Sequence, residues 1–198
     1  MNFFPDYLNC LDKLENEILK KLKRASVDKK SSFRYLVFST CSNNIVNSRI
    51  VVLRDFCSRN WEMIFHSDKR SEKLKEISNN KNVSLNFWDP RFNFQIRIKG
   101  EAKEFNKNNS EIWEKLNIWS KKIYFSRKEP GSKSSEATSG LDDKKIDYNL
   151  YSSKSLKNFC QIKVSIKSLD CLILNRAGHR RAFFKITRKK LQKKWLIP

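Results

Sequence analysis

Between Phe33 and Phe105 the chain carries five runs rich in β-branched and aromatic residues, set apart by short polar breaks, and this pattern constrains the fold most. The runs are FRYLVFST (33–40), IVNSRIVVLRDF (45–56), WEMIFHS (61–67), NVSLNFWD (82–89) and FNFQIRIKGEAKEF (92–105). Turn-like residues at 42–44 and Ser58–Asn60 predict a hairpin followed by a third strand in antiparallel order. In the fifth run Phe94, Ile96 and Ile98 alternate with Gln95, Arg97 and Lys99, the period of a half-buried strand. KRSEKLKEISNN (69–80) predicts a short surface helix opened by Ser67 and Asp68.

The flanks complete the pattern. Leu8, Leu11, Leu14, Ile18, Leu19 and Leu22 recur at three- and four-residue steps, which predicts an amphipathic helix over 6–24. Ile112, Trp113, Leu116, Trp119 and Ile123 predict a second helix over 112–123. Pro130, Gly131, Gly140 and many serines mark 126–157 as a mobile loop. FCQIKVSIKSLDCLIL (159–174) and AFFKIT (182–187) predict a last strand pair around a turn at Asn175–Gly178. The expected architecture is mainly β, an antiparallel barrel with peripheral helices, in a single domain over residues 1–198.

Lysine and arginine number 42 against 21 acidic residues, a formal net charge of +21 that suits phosphate-bearing small molecules, nucleic acid or a membrane surface alike. Much of the excess is lysine spread along the chain, as A/T-rich codon usage also produces. No recognisable RNA-binding motif accompanies it, so nucleic acid ranks behind a small phosphorylated ligand. Cys10, Cys41, Cys57, Cys160 and Cys171 have no CxxC spacing and no histidine at zinc-ligand distance, which argues against a metal and for reduced thiols. No segment approaches the ~18 apolar residues of a membrane span and the first residues lack a signal pattern, so the expectation is a cytoplasmic protein without a membrane partner.

Glycines at 100, 131, 140 and 178 permit neither a GxGxxG turn nor a P-loop. Phosphate binding therefore falls to cationic side chains, hydroxyls and main-chain amides. Arg49, Arg54, Ser67, Lys69, Arg70, Ser71 and Lys73 cluster where they could do this, and the same residues equally make an ordinary solvated strand edge and helix face. His66 and His179 come with no GxSxG elbow, carboxylate pair or HExxH, and read as exposed or hydrogen-bonded structural residues. Gln95 projects from an apolar strand as a weak ligand-facing signal, and the tryptophans at 61, 88, 113, 119 and 195 read as core.

SRIVVLRDF (48–56), IFHSDKRSEKLKEI (64–77), VSLNFWDP (83–90), FQIRIKGEAKEF (94–105) and GHRRAFF (178–184), taken in this order and spacing, resemble the pyridoxamine 5′-phosphate oxidase-like FMN-binding family over roughly residues 30–198. The resemblance implies a split β-barrel, a homodimer with FMN at the subunit interface, and a site drawn from two chains. It implies cofactor contacts from Arg49, Ile50, Val51, Val52, Leu53 and Arg54 along the flavin, from His66 and Ser67 at the next strand's end, and from Lys73 at the phosphate. It places Gln95 at the isoalloxazine ring and Arg181 near the flavin as the candidate flavin-tuning residue, or Arg180 with a one-residue shift. Glu72 stands where the family usually has arginine, with Arg70 as a compensating cation.

On the substrate side the match is poorer. The vitamin B6 oxidases of the family grip substrate with an Arg-x-His element; the nearest residues here are Arg176 and the run His179 to Arg181, at different spacing. Lys121 or Lys122 falls where a substrate-phosphate arginine is expected, and Arg54 is a further candidate. The implied activity is hydride transfer from an amine- or alcohol-bearing carbon to FMN, with reoxidation by dioxygen to hydrogen peroxide and no required general base. A split-barrel flavoprotein acting on a different small molecule is the alternative.

Overall fold

The structure, a computed structural model, describes residues 5–141, 153–187 and 190–198. Eight strands follow one another as β1 (Tyr35–Ser42), β2 (Ile45–Cys57), β3 (Glu62–Asp68), β4 (Asn82–Asp89), β5 (Phe94–Phe105), β6 (Phe159–Ile173), β7 (Arg180–Ile186) and β8 (Leu191–Leu196). Their order in the sheet is β3-β2-β1-β4-β5-β6-β7-β8, and an additional β3–β6 pairing closes the first six into a barrel. Neighbouring strands are antiparallel throughout. Closure removes the exposed edges that six such strands would otherwise present. The split-barrel architecture expected from the sequence is therefore observed.

Local chemistry explains the joints. Asn43 and Asn44 link β1 to β2 with φ of 51° and 62°, the left-handed pair that a two-residue hairpin needs and that asparagine tolerates. Where β2 meets β3, pairing jumps from Leu53↔Phe65 to Asp55↔Ile64, so Arg54 is the extra residue of a bulge. Bulges re-aim side chains and often lie beside functional sites. Phe33, Phe38, Phe56, Phe65, Phe87, Phe94 and Phe184 fill the interior with aliphatic residues from every barrel strand.

Three helical expectations change. The first helix, α1 (Leu11–Val27), starts later than residue 6 because Asp6–Asn9 form a separate 3-10 turn and Cys10 is extended. Its apolar stripe of Leu14, Ile18, Leu22 and Ala25 is buried as the spacing predicts. The helix after β3, α2 (Glu72–Asn79), lies inside the predicted segment but begins after Ser71, because Ser67 and Asp68, expected to open it, still belong to β3. The predicted helix over 112–123 is instead two short ones, α3 (Asn109–Lys115) and α4 (Ile118–Lys122). Leu116 is extended between them and the Asn117 side chain accepts from Ser120 N, so a new N-cap interrupts the apolar period.

Trp113 anchors a second buried cluster with Tyr124, Phe125 and Phe159, outside the barrel core. The tryptophans are not uniformly core: Trp113 is buried and Trp61 packs on the barrel core, but Trp88, Trp119 and Trp195 are exposed by 42%, 73% and 40%. In the expected loop, residues 126–141 contain neither helix nor strand and a 3-10 turn forms at Leu156–Asn158, while 142–152 lie outside the described residues. β8 was not expected; its lysines disguise a strand that pairs with β7 from Arg181↔Leu196 to Ile186↔Leu191.

Candidate functional site

Three groups of polar side chains emerge, and the predicted site residues divide among them. The first lies at the head of α2. Arg49 and Asn47 point from β2 toward buried Glu76, which accepts hydrogen bonds from Thr40 Oγ1 (2.5 Å), Asn47 Nδ2 (2.5 Å) and Arg49 Nη2 (2.9 Å). Arg49 also donates to Thr40. Burial works against the Glu76 carboxylate, but the Thr40 hydroxyl and the Arg49 charge outweigh it and hold the group below its ordinary range.

Next to this pair, Lys73 Nζ reaches Ser67 Oγ at 3.4 Å, and Ser67 Oγ shares a 3.1 Å contact with Ser71 Oγ. Burial, and then the positive charge of Arg49, lower the Lys73 pKa. An environment that disfavours a cation because another cation stands near is one that an anion relieves. Arg70 is already committed: Nε and Nη2 fork onto Asp68 at 3.0 and 2.7 Å, and Nη1 donates to Ser126 O at 2.9 Å. It braces the segment after Phe125.

The second group surrounds the bulge. Arg54 Nε is buried with no hydrogen-bond partner among the described residues. Burial and neighbouring Arg34 both lower its pKa, so the guanidinium is poorly compensated. A buried charged donor without an acceptor is costly, which is the mark of a place where a ligand oxygen belongs. His66 packs edge-on against Phe159 at 5.0 Å, and burial, then the Arg54 charge, bring its pKa down to about 4. The imidazole is therefore neutral at pH 7. The unfolded chain binds this proton below about pH 6.5 while the folded one refuses it until about pH 4, so His66 costs stability as pH falls across that window. His66→Phe is expected to flatten the acid side of the stability profile between those values, checked by urea titrations at a series of pH values; an unchanged profile would contradict a neutral His66.

The third group lies on the outward face of the sheet. Register sets Trp88, Gln95, Leu172, Arg181 and Leu196 side by side across β4 to β8. Gln95 Nε2 donates to Asn86 Oδ1 at 3.2 Å. Arg181 forks onto Asp170, Nε to Oδ1 at 3.1 Å and Nη2 to Oδ2 at 2.9 Å. Arg97 Nη2 reaches the same Oδ2 at 2.7 Å.

Of the run between Arg49 and Arg54, Leu53 is fully buried and Val51 packs on the core, so their side chains serve the barrel; Ile50 faces out, 63% exposed, and Val52 lies on the same face. The substrate-side candidates fall on three different elements: Arg54 at the bulge, Lys122 in the last turn of α4, and His179 in the β6–β7 turn, where Nδ1 accepts from Asn175 N at 3.1 Å. Sequence reasoning missed the partners Thr40, Asn47, Glu76, Tyr124, Arg97 and Asp170. Glu76, three residues after Lys73 on a helix face that packs inward, was the one with a legible signal. No group of three or more metal-ligating side chains occurs among the described residues.

The closed six-strand barrel, with Arg49, Ser67 and Lys73 at one strand end and Gln95 and Arg181 in one row of its outer face, defines a split-barrel protein. The comparisons agree. Residues 13–106 match the family described as pyridoxamine 5′-phosphate oxidase, FMN-binding domain. Among curated proteins, the pyridoxine/pyridoxamine 5′-phosphate oxidase of Ehrlichia chaffeensis is 29% identical over 107 residues, 54% of this chain and 51% of that protein. The enzyme of the same name from Leptospira biflexa is 35% identical over 68 residues, 34% of this chain and 31% of its own. The matches thus span about half or less of these relatives. Among solved structures, a pyridoxamine 5′-phosphate oxidase-related, FMN-binding protein from Nostoc punctiforme shares the fold at a TM-score of 0.72 and 18% identity, covering 92% of this chain and 96% of its own. PhzG from Burkholderia lata, solved with tetrahydrophenazine-1-carboxylic acid, shares it at 0.70 and 17%, covering 99% and 98%. FMN is the cofactor for which this domain type is built.

Proposed function

We propose that the chain is an FMN-dependent oxidoreductase resembling pyridoxine/pyridoxamine 5′-phosphate oxidase, working as a single split-barrel domain in a homodimer. The observation that carries this reading is the meeting of Arg49, Ser67 and Lys73 at the head of α2, inside the segment that matches the FMN-binding family. Lys73, Arg49 and the hydroxyls of Ser67 and Ser71 would hold the flavin phosphate. Gln95 would hold the ring through its amide, and Arg181 would place positive charge beside it. The resemblance implies a site drawn from two chains, with a second copy completing it. Exposed Tyr35, Ile50 and Trp88 on the outer sheet face supply apolar surface for such a pairing.

When bound, FMN supplies hydride acceptance from the substrate carbon and delivery to dioxygen as hydrogen peroxide. The chain's own part is placement. Arg54, with its buried and unpartnered Nε, receives the substrate's phosphate, and Tyr124, which senses the Arg54 charge, stands near it. His66, neutral and half-buried, moves no proton near pH 7.

A second reading keeps the flavin and changes the substrate. It is favoured by the β6–β7 turn, where His179 accepts from Asn175 N and Arg180 Nε donates to Asn9 Oδ1 at 3.2 Å, so both are engaged within the chain. Purified FMN-loaded protein incubated aerobically with pyridoxamine or pyridoxine 5′-phosphate tests the two. Stoichiometric hydrogen peroxide and pyridoxal 5′-phosphate support the first reading; a loaded flavoprotein inert to both compounds supports the second.

A further inference from the structure

Asp170 meets a cation from each neighbouring strand. Arg97 of β5 lies directly opposite it, and Arg181 of β7 lies opposite Leu172, two residues along the same face of β6. Direct cross-strand pairs share a face and diagonal ones remain within reach of long side chains, so register alone brings the three charges together. The carboxylate takes Arg181 side-on through Nε and Nη2, and its Oδ2 also accepts from Arg97. Side-on pairing occupies one edge of the planar guanidinium and fixes the direction of the other. The Asp170 side chain is 17% exposed, against 47% for Arg97 and 28% for Arg181, so the acid lies beneath the cations it binds. Two cations on one anion leave the group positive, which means that the carboxylate orders the charge without cancelling it.

Gln95 lies in the same cross-strand row as Arg181, two strands away and separated from it by Leu172. At ~4.8 Å between strands, amide and guanidinium stand about 10 Å apart, the span of a flat tricyclic ring. An unheld arginine on an open strand samples many rotamers and would meet such a ring only part of the time.

We propose that Asp170 is a positioning residue that holds Arg181 toward the flavin ring beside Gln95, with Arg97 bracing the carboxylate from the other side. This rests on the reading of Gln95 and Arg181 as flavin-facing. The test uses the FMN-loaded protein and its midpoint potential, which a merely structural acid would not move. Asp170→Asn is expected to shift the potential to a more negative value, in the same direction as Arg181→Ala, because the reduced anionic flavin loses its ordered cation. Asp170→Glu, which keeps a carboxylate, is expected to restore the wild-type value, and Asp170→Asn added to Arg181→Ala is expected to cause no further shift. A positive shift in Asp170→Asn, an equal shift in the presence and absence of Arg181, or no shift at all would overturn the proposal alone. Wild-type protein that takes up no FMN would overturn the underlying reading, and the proposal with it.

Discussion

Arg49→Ala is expected to lose both FMN and folding stability, whereas Lys73→Ala loses FMN alone. The difference lies in Glu76. Its side chain is 5% exposed and Arg49 is its ion-pair partner, 23% exposed itself. Removing the guanidinium leaves a buried carboxylate facing the neutral donors of Thr40 and Asn47. Breaking a buried pair in this way costs ~3–5 kcal/mol, and the part-exposed arginine puts this site near the lower end, about 3 kcal/mol. Lys73 leaves no such orphan, since its hydrogen bond is the long one to Ser67. For the cofactor, each substitution removes a charge-assisted phosphate contact of ~1.5–3 kcal/mol, about a tenfold to hundredfold rise in the FMN dissociation constant.

Urea denaturation and flavin fluorescence quenching separate the two effects. Glu76→Gln placed on Arg49→Ala should recover most of the stability and none of the FMN affinity. Linkage gives a further sign. The Glu76 pKa is depressed in the folded chain, so its contribution is present above the unfolded value near ~4.3 and fades as pH falls through the lower folded value. Arg49→Ala should weaken that dependence, since Thr40 and Asn47 still lower the Glu76 pKa.

Gly100→Val is expected to unfold the barrel at a temperature well below the wild type. Pairing between β5 and β6 slips at Lys99/Gly100, from Lys99↔Ser168 to Gly100↔Ile166, so the strands come unusually close there. A Cβ on residue 100 would lie 2.7 Å from Ser165 O and 2.9 Å from Val164 Cγ1. The first neighbour is backbone, in a strand held on its other edge by Glu62↔Ser165, and it cannot step aside without disturbing the β3–β6 closure. Overpacking of this kind costs ~1–3 kcal/mol and more where backbone must move, so alanine should cost about 2 kcal/mol and valine 3 or more. At ~2–4 °C per kcal/mol for a chain of this size, valine lowers Tm by roughly 6–12 °C, read by calorimetry. A valine variant melting with the wild type would show that the bulge relaxes freely.

The barrel was legible because its strands alternate in periods of two and its turns carry their own chemistry, as Asn43 and Asn44 illustrate. What the sequence hid follows from competition between local signals. Asn117 caps a new helix inside an apolar period that reads as continuous, and the lysines of β8 mask a strand whose partner β7 decides its structure. In the candidate site, Arg49, Ser67, Lys73 and Gln95 were legible as types suited to phosphate and amide recognition. Their partners were not. Glu76 and Asp170 contact Arg49 and Arg181 across 27 and 11 residues of sequence, through register and helix packing that no local motif announces. Hence Arg70 and Arg181, which read as available cations, are committed to Asp68 and Asp170, and Arg54, one of two basic residues in its strand, is among the described residues the one with a buried unpartnered donor.

The most direct test of the account is the absorbance spectrum of the purified chain after incubation with FMN and removal of excess, followed by release and mass analysis of what remains bound. Flavin bands with FMN recovered near one per chain, reduced in Lys73→Ala, are the predicted result. A colourless protein that retains no added FMN would contradict it.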